Sequence, residues 1–132
     1  MTHAVPNLTE HVSVRNFKDI PLSAEIKAQL SLAARSASSS HFVQSFSIIE
    51  ITDMTLRSQL ADITESAPYV KQTGAFYVFV ADLYRQSTLL TKQGKSLDGL
   101  SNMESLLVSI VDTTIAAQNM VVAAETMDLG IC

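Results

Sequence analysis

The sequence predicts an α+β domain. Two short runs rich in β-branched and aromatic residues are typical of strands, and three other stretches repeat apolar residues at helical spacing. Hydrophobic residues make up 47% of the 132 residues and charged residues only 17%, so the chain can bury a sizeable core. These features predict one folded domain over residues 1–132 and argue against disorder.

Residues 24–36 form the first predicted helix. Ser23 is a typical N-cap residue, and Ile26 and Leu30 fall on one helical face. The sequence SASSSHF at 36–42 follows, and its four serines without any charge predict a loop. The backbone N–H groups of such a loop either line a ligand or belong to an ordinary flexible connection.

A strand and a second helix are predicted next. The run SFSIIEIT at 45–52 has the β-branched and aromatic content of a strand. Asp53 is a suitable N-cap for a helix over 53–65, in which Leu56 and Leu60 recur at helical spacing.

The run GAFYVFVADL at 74–83 predicts a second strand. It is almost continuously apolar, as expected of a strand covered on both faces, so we expect it at the centre of the sheet. The mixed, polar segment 84–103 contains Gly94 and Gly99, which interrupt a helical pattern. We expect a mobile excursion there, with at most one short helix.

The last predicted helix spans 104–129. Apolar residues cover most of its circumference and leave a thin polar stripe through Asp112, Gln118 and Glu125, so we expect a buried helix. Such a helix is about 39 Å long, more than one small domain surrounds easily, and this predicts a homodimer. Gly130 is the usual type of residue for ending a helix, and the IC that follows resembles the start of a strand.

Composition argues against several classes of function. Lysine and arginine form no cluster, which argues against nucleic-acid binding. Three scattered histidines and one cysteine, Cys132, predict neither a disulfide framework nor a metal site. The apolar stretch 106–124 could span a membrane, but Asp112 near its middle costs about 2.5–3.5 kcal/mol, so we predict no span. With no signal-peptide pattern, these features predict a cytoplasmic protein.

The segment TEHVSVRNF places three polar side chains at alternate positions. In an extended segment His11, Ser13 and Arg15 project to one side, while Val12 and Val14 face the core. A guanidinium fork, a hydroxyl and a ring N–H together suit a phosphate or a carboxylate.

An ordinary surface role for these side chains is the alternative. Arg15 would then pair with an acid such as Asp19, and His11 would cap the preceding helical turn. Asp112 on the buried helix is interpreted as a satisfied polar group of an interface rather than a catalytic residue.

Three segments of the sequence resemble the FMN-dependent nitroreductases, in the branch of the NADPH-dependent nitroreductases and flavin reductases. HVSVRNFKDIPLS resembles the family's His-Arg-Ser-x-Arg-x-Phe opening, followed by a proline and a helix. AARSASSSHFVQ resembles its serine loop, and VDTTIAAQNMVVAAETMDLG resembles its long helix. The resemblance covers essentially the whole chain and corresponds to the N-terminal half of the family.

The resemblance implies a set of FMN ligands. In the family the opening segment grips the phosphate and ribityl chain, the serine loop lies against the flavin ring, and the position of Tyr69 can contact the flavin edge. The implied cofactor-binding residues are His11, Ser13, Arg15, Ser38, Ser39, Ser40 and Tyr69. Val12 stands where the family usually has arginine, which removes a charge-assisted hydrogen bond worth about 1.5–3 kcal/mol.

The resemblance also implies the assembly and the chemistry. The long helix would pack across the two-fold axis of an intertwined homodimer, with FMN between the subunits. NADPH would reduce FMN, and the reduced flavin would pass electrons to a nitro compound, a quinone or free flavin in a ping-pong cycle. Because the cofactor carries the redox chemistry, no catalytic side chain is assigned. The preference for NADPH over NADH rests on the resemblance alone.

We expect a shortened chain, because the family continues past the position of Cys132 into a glycine-rich flavin contact, further strands and basic residues. A second interpretation is therefore a non-catalytic, dimeric remnant that binds FMN or another anion weakly. A third is a small anion-binding or nucleotide-binding module unrelated to flavin.

Overall fold

Five α-helices and two β-strands lie in residues 8–64 and 67–132, the part of the chain that the computed structural model describes. In chain order the elements are α1 (Ala24–Arg35), β1 (Phe46–Glu50), α2 (Met54–Ile63), α3 (Ala67–Lys71), β2 (Tyr77–Ala81), α4 (Tyr84–Lys92) and α5 (Met103–Thr126). Two 3₁₀ turns, Ser40–Phe42 and Asp98–Leu100, lie in the connections. The architecture is α+β, as the sequence predicts.

Both predicted N-caps are confirmed. The Ser23 hydroxyl accepts a hydrogen bond from the Ile26 N–H at 3.2 Å. The Asp53 carboxylate accepts from the N–H groups of Thr55 and Leu56, at 2.7 and 2.9 Å. These bonds satisfy N–H groups that have no partner inside the helix, and so they set the first residues of α1 and α2.

The two strands form an antiparallel sheet in which Phe46 pairs with Ala81 and Glu50 with Tyr77. Both strands are shorter than predicted. The expectation that 74–83 is covered on both faces and central is wrong for the described chain, because its strand portion pairs with β1 alone. The side chains of β2 are only partly buried, and Val80 is 37% exposed. The other residues of that apolar run lie in the flanking connections.

The core lies where α5 packs against α1 and the sheet. Leu30 and Ala34 of α1 and Met120 and Ala124 of α5 are buried together. The two alanines leave room for the helices to approach closely, and α5 thereby becomes the scaffold on which the other elements are placed.

The polar segment 84–103 contains more regular structure than a mobile excursion. It includes the nine-residue helix α4 and the second 3₁₀ turn. Gly94 adopts a left-handed backbone conformation with φ of 63°, which ends the turn after α4. The short helix allowed for in the prediction is therefore present.

Helix α5 is buried on one face only by its own chain, so the burial expected nearly all round it stays a prediction that needs a partner subunit. The buried residues are Ser109, Asp112, Ala116, Met120 and Ala124. The opposite face carries large apolar side chains that are 37–67% exposed: Met103, Leu106, Leu107, Ile110, Val111 and Ile115. By length and composition α5 could cross a membrane. This is weak evidence for a membrane span, because the core helix of a soluble protein passes the same test. One layer of a small domain covers only one side of such a helix.

Candidate cofactor site

The opening segment is fixed to the chain that follows α5. Ser13 forms an isolated parallel bridge with Ile131, and the Val14 N–H donates to the Ile131 carbonyl at 2.7 Å. The residues after α5 thus form the strand-like contact that IC suggests, and their partner is the segment that carries the candidate anion ligands.

Gly130 permits this contact rather than ending the helix. A Cβ at this residue would lie 3.0 Å from Val14 Cγ2 and 3.2 Å from both Val14 Cβ and Val14 Cγ1. The left-handed residue after α5 is Asp128, with φ of 58°. The predicted role of Gly130 as the helix-ending residue is therefore wrong, and its missing side chain makes room for Val14.

The three polar side chains of the opening segment are all exposed, as alternation predicts. Val14 is half-buried, but Val12 is 67% exposed, so the expectation that both valines face the core is wrong for Val12. The segment makes a single bridge instead of joining a sheet, and only one of the two valines reaches a packed surface.

The surface alternative for these side chains is wrong for Arg15, whereas the helical turn that His11 would cap lies mostly outside the described residues. The Nδ1 atom of His11 lies 2.6 Å from Glu125 Oε1 on α5, so the ring is oriented by that carboxylate. Arg15 belongs to none of the ion pairs among the described residues, and its pairing with Asp19 does not occur. The guanidinium is therefore exposed and available to an anion.

The serine loop is anchored to the middle of α5. The Ser40 N–H donates to Asp112 Oδ1 at 3.1 Å. Asp112 itself is only 2% exposed. Within the chain only Oδ1 is satisfied, because Oδ2 is buried and has no hydrogen-bond partner among the described residues. The interpretation of Asp112 as a polar group of a subunit interface stays a prediction.

The turn that follows the serine loop is strained. His41, Phe42 and Gln44 have φ values of 50°, 57° and 50°, in the left-handed region that side chains disfavour. Strained backbone of this kind concentrates at functional sites. Sequence reasoning missed it because no glycine in the segment indicates a left-handed turn.

Helix α4 fixes the far end of this turn. The Gln86 side-chain amide donates to the carbonyls of Val43 and Gln44, at 2.6 and 3.3 Å, and the Arg85 guanidinium also donates to the Gln44 carbonyl. No sequence pattern indicated these two residues as part of the site, since they lie in the segment 84–103, where the pattern is weakest.

A cavity of about 260 Å³ lies beside the turn. Ser40, His41 and Ser45 contribute its polar lining near the loop, with Val43 and Leu83 among the apolar side chains. The hydroxyl of Ser45 is fully buried and, within the described part of the chain, has no hydrogen-bond partner. Buried polar atoms without a partner are uncommon and indicate a place where a small ligand or water completes the bonding.

Tyr69 lies on α3, outside the two segments that carry the other predicted ligands. It is half-buried on α3, which packs against α2. In residues 8–64 and 67–132, no described hydrogen bond joins it to the opening segment or to the serine loop, and its contact with a flavin edge stays a prediction.

Two ionisable groups outside these clusters have shifted pKa values. Burial, with a smaller contribution from the opposing Glu50 carboxylate, raises the pKa of Tyr77 above its ordinary value. A hydrogen bond from the Ser47 hydroxyl, together with one from the Tyr84 N–H, lowers the pKa of Asp82. Both shifts belong to the sheet and its connection to α4, and neither supplies an acid or a base to the candidate site.

The opening segment and the serine loop contact α5 at different heights. His11 contacts Glu125 and Ser40 contacts Asp112, and these two α5 residues are about 20 Å apart along the axis at a rise of 1.5 Å per residue. The fold of one chain therefore builds two donor clusters rather than one.

The donor chemistry of these clusters fits a phosphorylated cofactor such as FMN. The exposed Arg15 guanidinium and Ser13 hydroxyl suit a phosphate, and the serine hydroxyls suit the polar edge of a ring. The surroundings oppose an anion, because a groove of about 300 Å³ beside Val12 is also lined by the carboxylates of Glu10, Glu125 and Asp128. The residues present therefore fit a phosphate group, but the nearby carboxylates weaken the electrostatic attraction for it.

Comparison with known sequences gives a family and named relatives. A sequence model described as the Nitroreductase family matches residues 8–132. The protein named FMN reductase (NADPH) of Bacillus subtilis strain 168 is 41% identical over 133 residues, which cover 100% of this chain and 53% of that protein. An NADPH-dependent oxidoreductase of Staphylococcus aureus strain USA300 is 39% identical over 135 residues, covering 99% of this chain and 53% of its own length.

Solved structures agree with the sequence comparison. The NfrA1 nitroreductase from B. subtilis superposes with a TM-score of 0.95 at 40% identity, over 98% of this chain and 53% of that one. The NADPH:FMN oxidoreductase from Vibrio harveyi, complexed with NAD+, gives a TM-score of 0.85 at 33% identity, over 96% and 53%. The chain thus spans about half the length of the relatives it matches.

Proposed function

Because the chain belongs to the nitroreductase family, we propose that it binds FMN and takes part in NAD(P)H-dependent reduction of small electron acceptors. Two features support the proposal. The relatives are named for FMN and NADPH, and the donor clusters suit a phosphorylated, ring-bearing cofactor. A cytoplasmic location is part of the same proposal.

One observation carries the proposal: the opening segment presents Arg15 and Ser13 as exposed donors on a backbone that Val14 fixes by its bond to Ile131. A guanidinium held on an anchored backbone binds phosphate with less loss of conformational freedom than one on a free tail. Among the described residues no carboxylate forms an ion pair with Arg15, so a phosphate does not have to displace one.

The proposed roles follow the two clusters. His11, Ser13 and Arg15 hold the phosphate and ribityl chain, and Tyr69 contacts the flavin edge. Ser38, Ser39 and Ser40 lie against the flavin ring. Hydride acceptance from NADPH, followed by electron transfer to a nitro compound, a quinone or free flavin in ping-pong order, is chemistry that FMN supplies when bound. The residues of the chain bind and orient the cofactor, and we assign none of them as nucleophile or general base.

A homodimer is part of the proposal. The two donor clusters are about 20 Å apart along α5. The exposed apolar face of that helix, centred on Leu107 and Val111, is typical of a protein–protein interface. Packing α5 against its copy across a two-fold axis would bury this face and bring the serine loop of one subunit toward the opening segment of its partner. Leu107→Glu should give a monomer by size-exclusion chromatography with light scattering. Leu89→Glu, at an exposed leucine of α4, should leave a dimer.

The test of cofactor binding is an FMN titration of the purified chain, followed by visible absorption and flavin fluorescence. Arg15→Ala should raise the Kd about 10- to 150-fold, the equivalent of a lost charge-assisted hydrogen bond of about 1.5–3 kcal/mol. Lys95→Ala is the matched control, because it removes an exposed cation from the connection after α4. NADPH oxidation with menadione or nitrofurazone is then measured for the same variants.

The outcomes separate the candidate functions. Binding with turnover that Arg15→Ala abolishes would support the oxidoreductase. Binding without turnover would favour the second candidate, a non-catalytic dimer with a weak anion site, which the exposed Val12 and the adjacent carboxylates also favour. A chain that takes up no flavin from excess FMN would refute the proposed ligand roles for this polypeptide.

A further inference from the structure

Asp112 is a buried carboxylate without a cation. It is 2% exposed, and none of the ion pairs among the described residues includes it. Burying a charged group is costly unless hydrogen bonds compensate. Its helical neighbours on the same buried face, Ser109 and Ala116, are small and make no comparable long-range bond. Packing alone therefore does not explain a carboxylate at this position.

The one described partner of this carboxylate is the serine loop. Asp112 Oδ1 accepts the Ser40 N–H at 3.1 Å, across 72 residues of sequence. Its Oδ2 and the hydroxyl of Ser39 are both buried and have no hydrogen-bond partner in the described part of the chain. The loop and the carboxylate thus meet at a polar contact whose bonding is incomplete.

The loop needs anchors because the turn after it is strained. Left-handed φ values at His41, Phe42 and Gln44 persist only where the surroundings fix the backbone. Arg85 and Gln86 fix the far end by binding carbonyl oxygens. The near end is fixed through the Ser40 N–H, and its acceptor is on a different helix.

We propose that Asp112 is a positioning residue for the cofactor: by accepting the Ser40 N–H it sets the direction in which Ser38, Ser39 and Ser40 present their donors. This inference rests on the proposed function, in which these serines lie against the flavin ring. Because α4 holds the other end of the turn independently, losing the Asp112 bond loosens the serine end without releasing the whole connection.

The experiment compares Asp112→Ala, Asp112→Asn and Ser109→Ala. Asparagine keeps a side-chain oxygen that can accept the Ser40 N–H. Ser109 is the matched control, because it is 1% exposed on the same helix and its hydroxyl binds only the Ser105 carbonyl of that helix, at 2.7 Å. The readouts are the hydrogen-exchange rate of the Ser40 amide, measured by NMR, and the Kd for FMN.

Asp112→Ala should speed exchange at Ser40 and raise the FMN Kd, each by about tenfold or more. Asp112→Asn should restore both to within about threefold of the wild type, and Ser109→Ala should change neither. Rescue by asparagine would show that the acceptor oxygen, rather than bulk packing, orders the loop. A general loss of stability would instead speed amide exchange throughout α5. If Asp112→Ala does not fold, Asp112→Ser replaces it, because the serine side chain is too short to reach the Ser40 N–H.

A folded Asp112→Ala or Asp112→Ser variant with unchanged Ser40 exchange would overturn the inference. Unchanged FMN affinity in either variant, when the wild type binds FMN, would overturn it as well. A wild type that binds no FMN is a failure of the proposed function instead. In that case the exchange measurement alone decides whether Asp112 orders the loop.

Discussion

A methyl group at residue 130 is expected to push the opening segment away from the chain after α5. In Gly130→Ala the new Cβ would lie 3.0–3.2 Å from three carbon atoms of Val14. Carbon atoms pack best at about 3.5–4.0 Å, so the contacts are too short by roughly 0.3–1 Å and one segment must move. Overpacking of this kind costs about 1–3 kcal/mol.

The cost should depend on Val14 itself. Val14→Ala removes two of the three contacting atoms, so the double variant should recover part of the stability that Gly130→Ala loses. We expect a favourable coupling of about 0.5–2 kcal/mol between the two substitutions. Gly99→Ala is the control, because a Cβ there meets nothing within 4 Å, and its effect should stay within about 0.5 kcal/mol.

Urea unfolding followed by circular dichroism measures these free energies, and hydrogen exchange of the Val14 amide reports the contact directly. In Gly130→Ala this amide should exchange faster, since its bond to the Ile131 carbonyl is the one that the movement stretches. A Gly130→Ala protein as stable as the wild type, with no coupling to Val14, would show that the two segments are not in contact.

Two further predictions concern the frame around the site. Arg57→Met should lower the free energy of unfolding, measured in urea, by about 2–5 kcal/mol. The reason is that the buried Arg57 side chain donates to two backbone carbonyls, at 2.7 and 2.9 Å. The control is Arg35→Met, at an exposed arginine, which should cost under about 0.5 kcal/mol. Ser47→Ala should raise the lowered pKa of Asp82, measured by carboxyl NMR. Its stability deficit should be full above the ordinary carboxyl pKa of about 3.9 and disappear as pH falls through the native pKa of Asp82, whereas a deficit independent of pH would contradict the linkage.

Local signals predicted the beginnings of elements, and they did so for a physical reason. The side chains of Ser23 and Asp53 accept from N–H groups two or three residues later, so these bonds involve only neighbouring sequence. The burial of β2 was mispredicted because an apolar run does not specify which surface covers it. Val80 is partly exposed since β1 is the only strand that pairs with β2 in the described chain.

In the candidate site, as in the fold, the sequence predicted local features but not long-range contacts. Alternation correctly placed the donors of the opening segment on the surface, but it assigned Val12 to a core that the segment does not enter. The bond between Asp112 and Ser40 joins residues 72 apart, and the bonds from α4 to the strained turn are also long-range, so no local pattern could reveal them. Ligand identities came from the family resemblance, and their geometric support came from tertiary contacts.

The distribution of side chains on α5 links the site to assembly. Toward its own chain this helix directs Ser109, Asp112 and Ala116, which are small or polar, and toward solvent it directs large side chains such as Leu107 and Val111. Small buried residues let the serine loop approach the helix closely, and the carboxylate among them anchors it. The apolar face is then left for a second subunit, which in the proposed dimer also supplies the other donor cluster. One helix would therefore control both association and cofactor binding, so substitutions that separate the subunits should weaken FMN binding without altering any ligand.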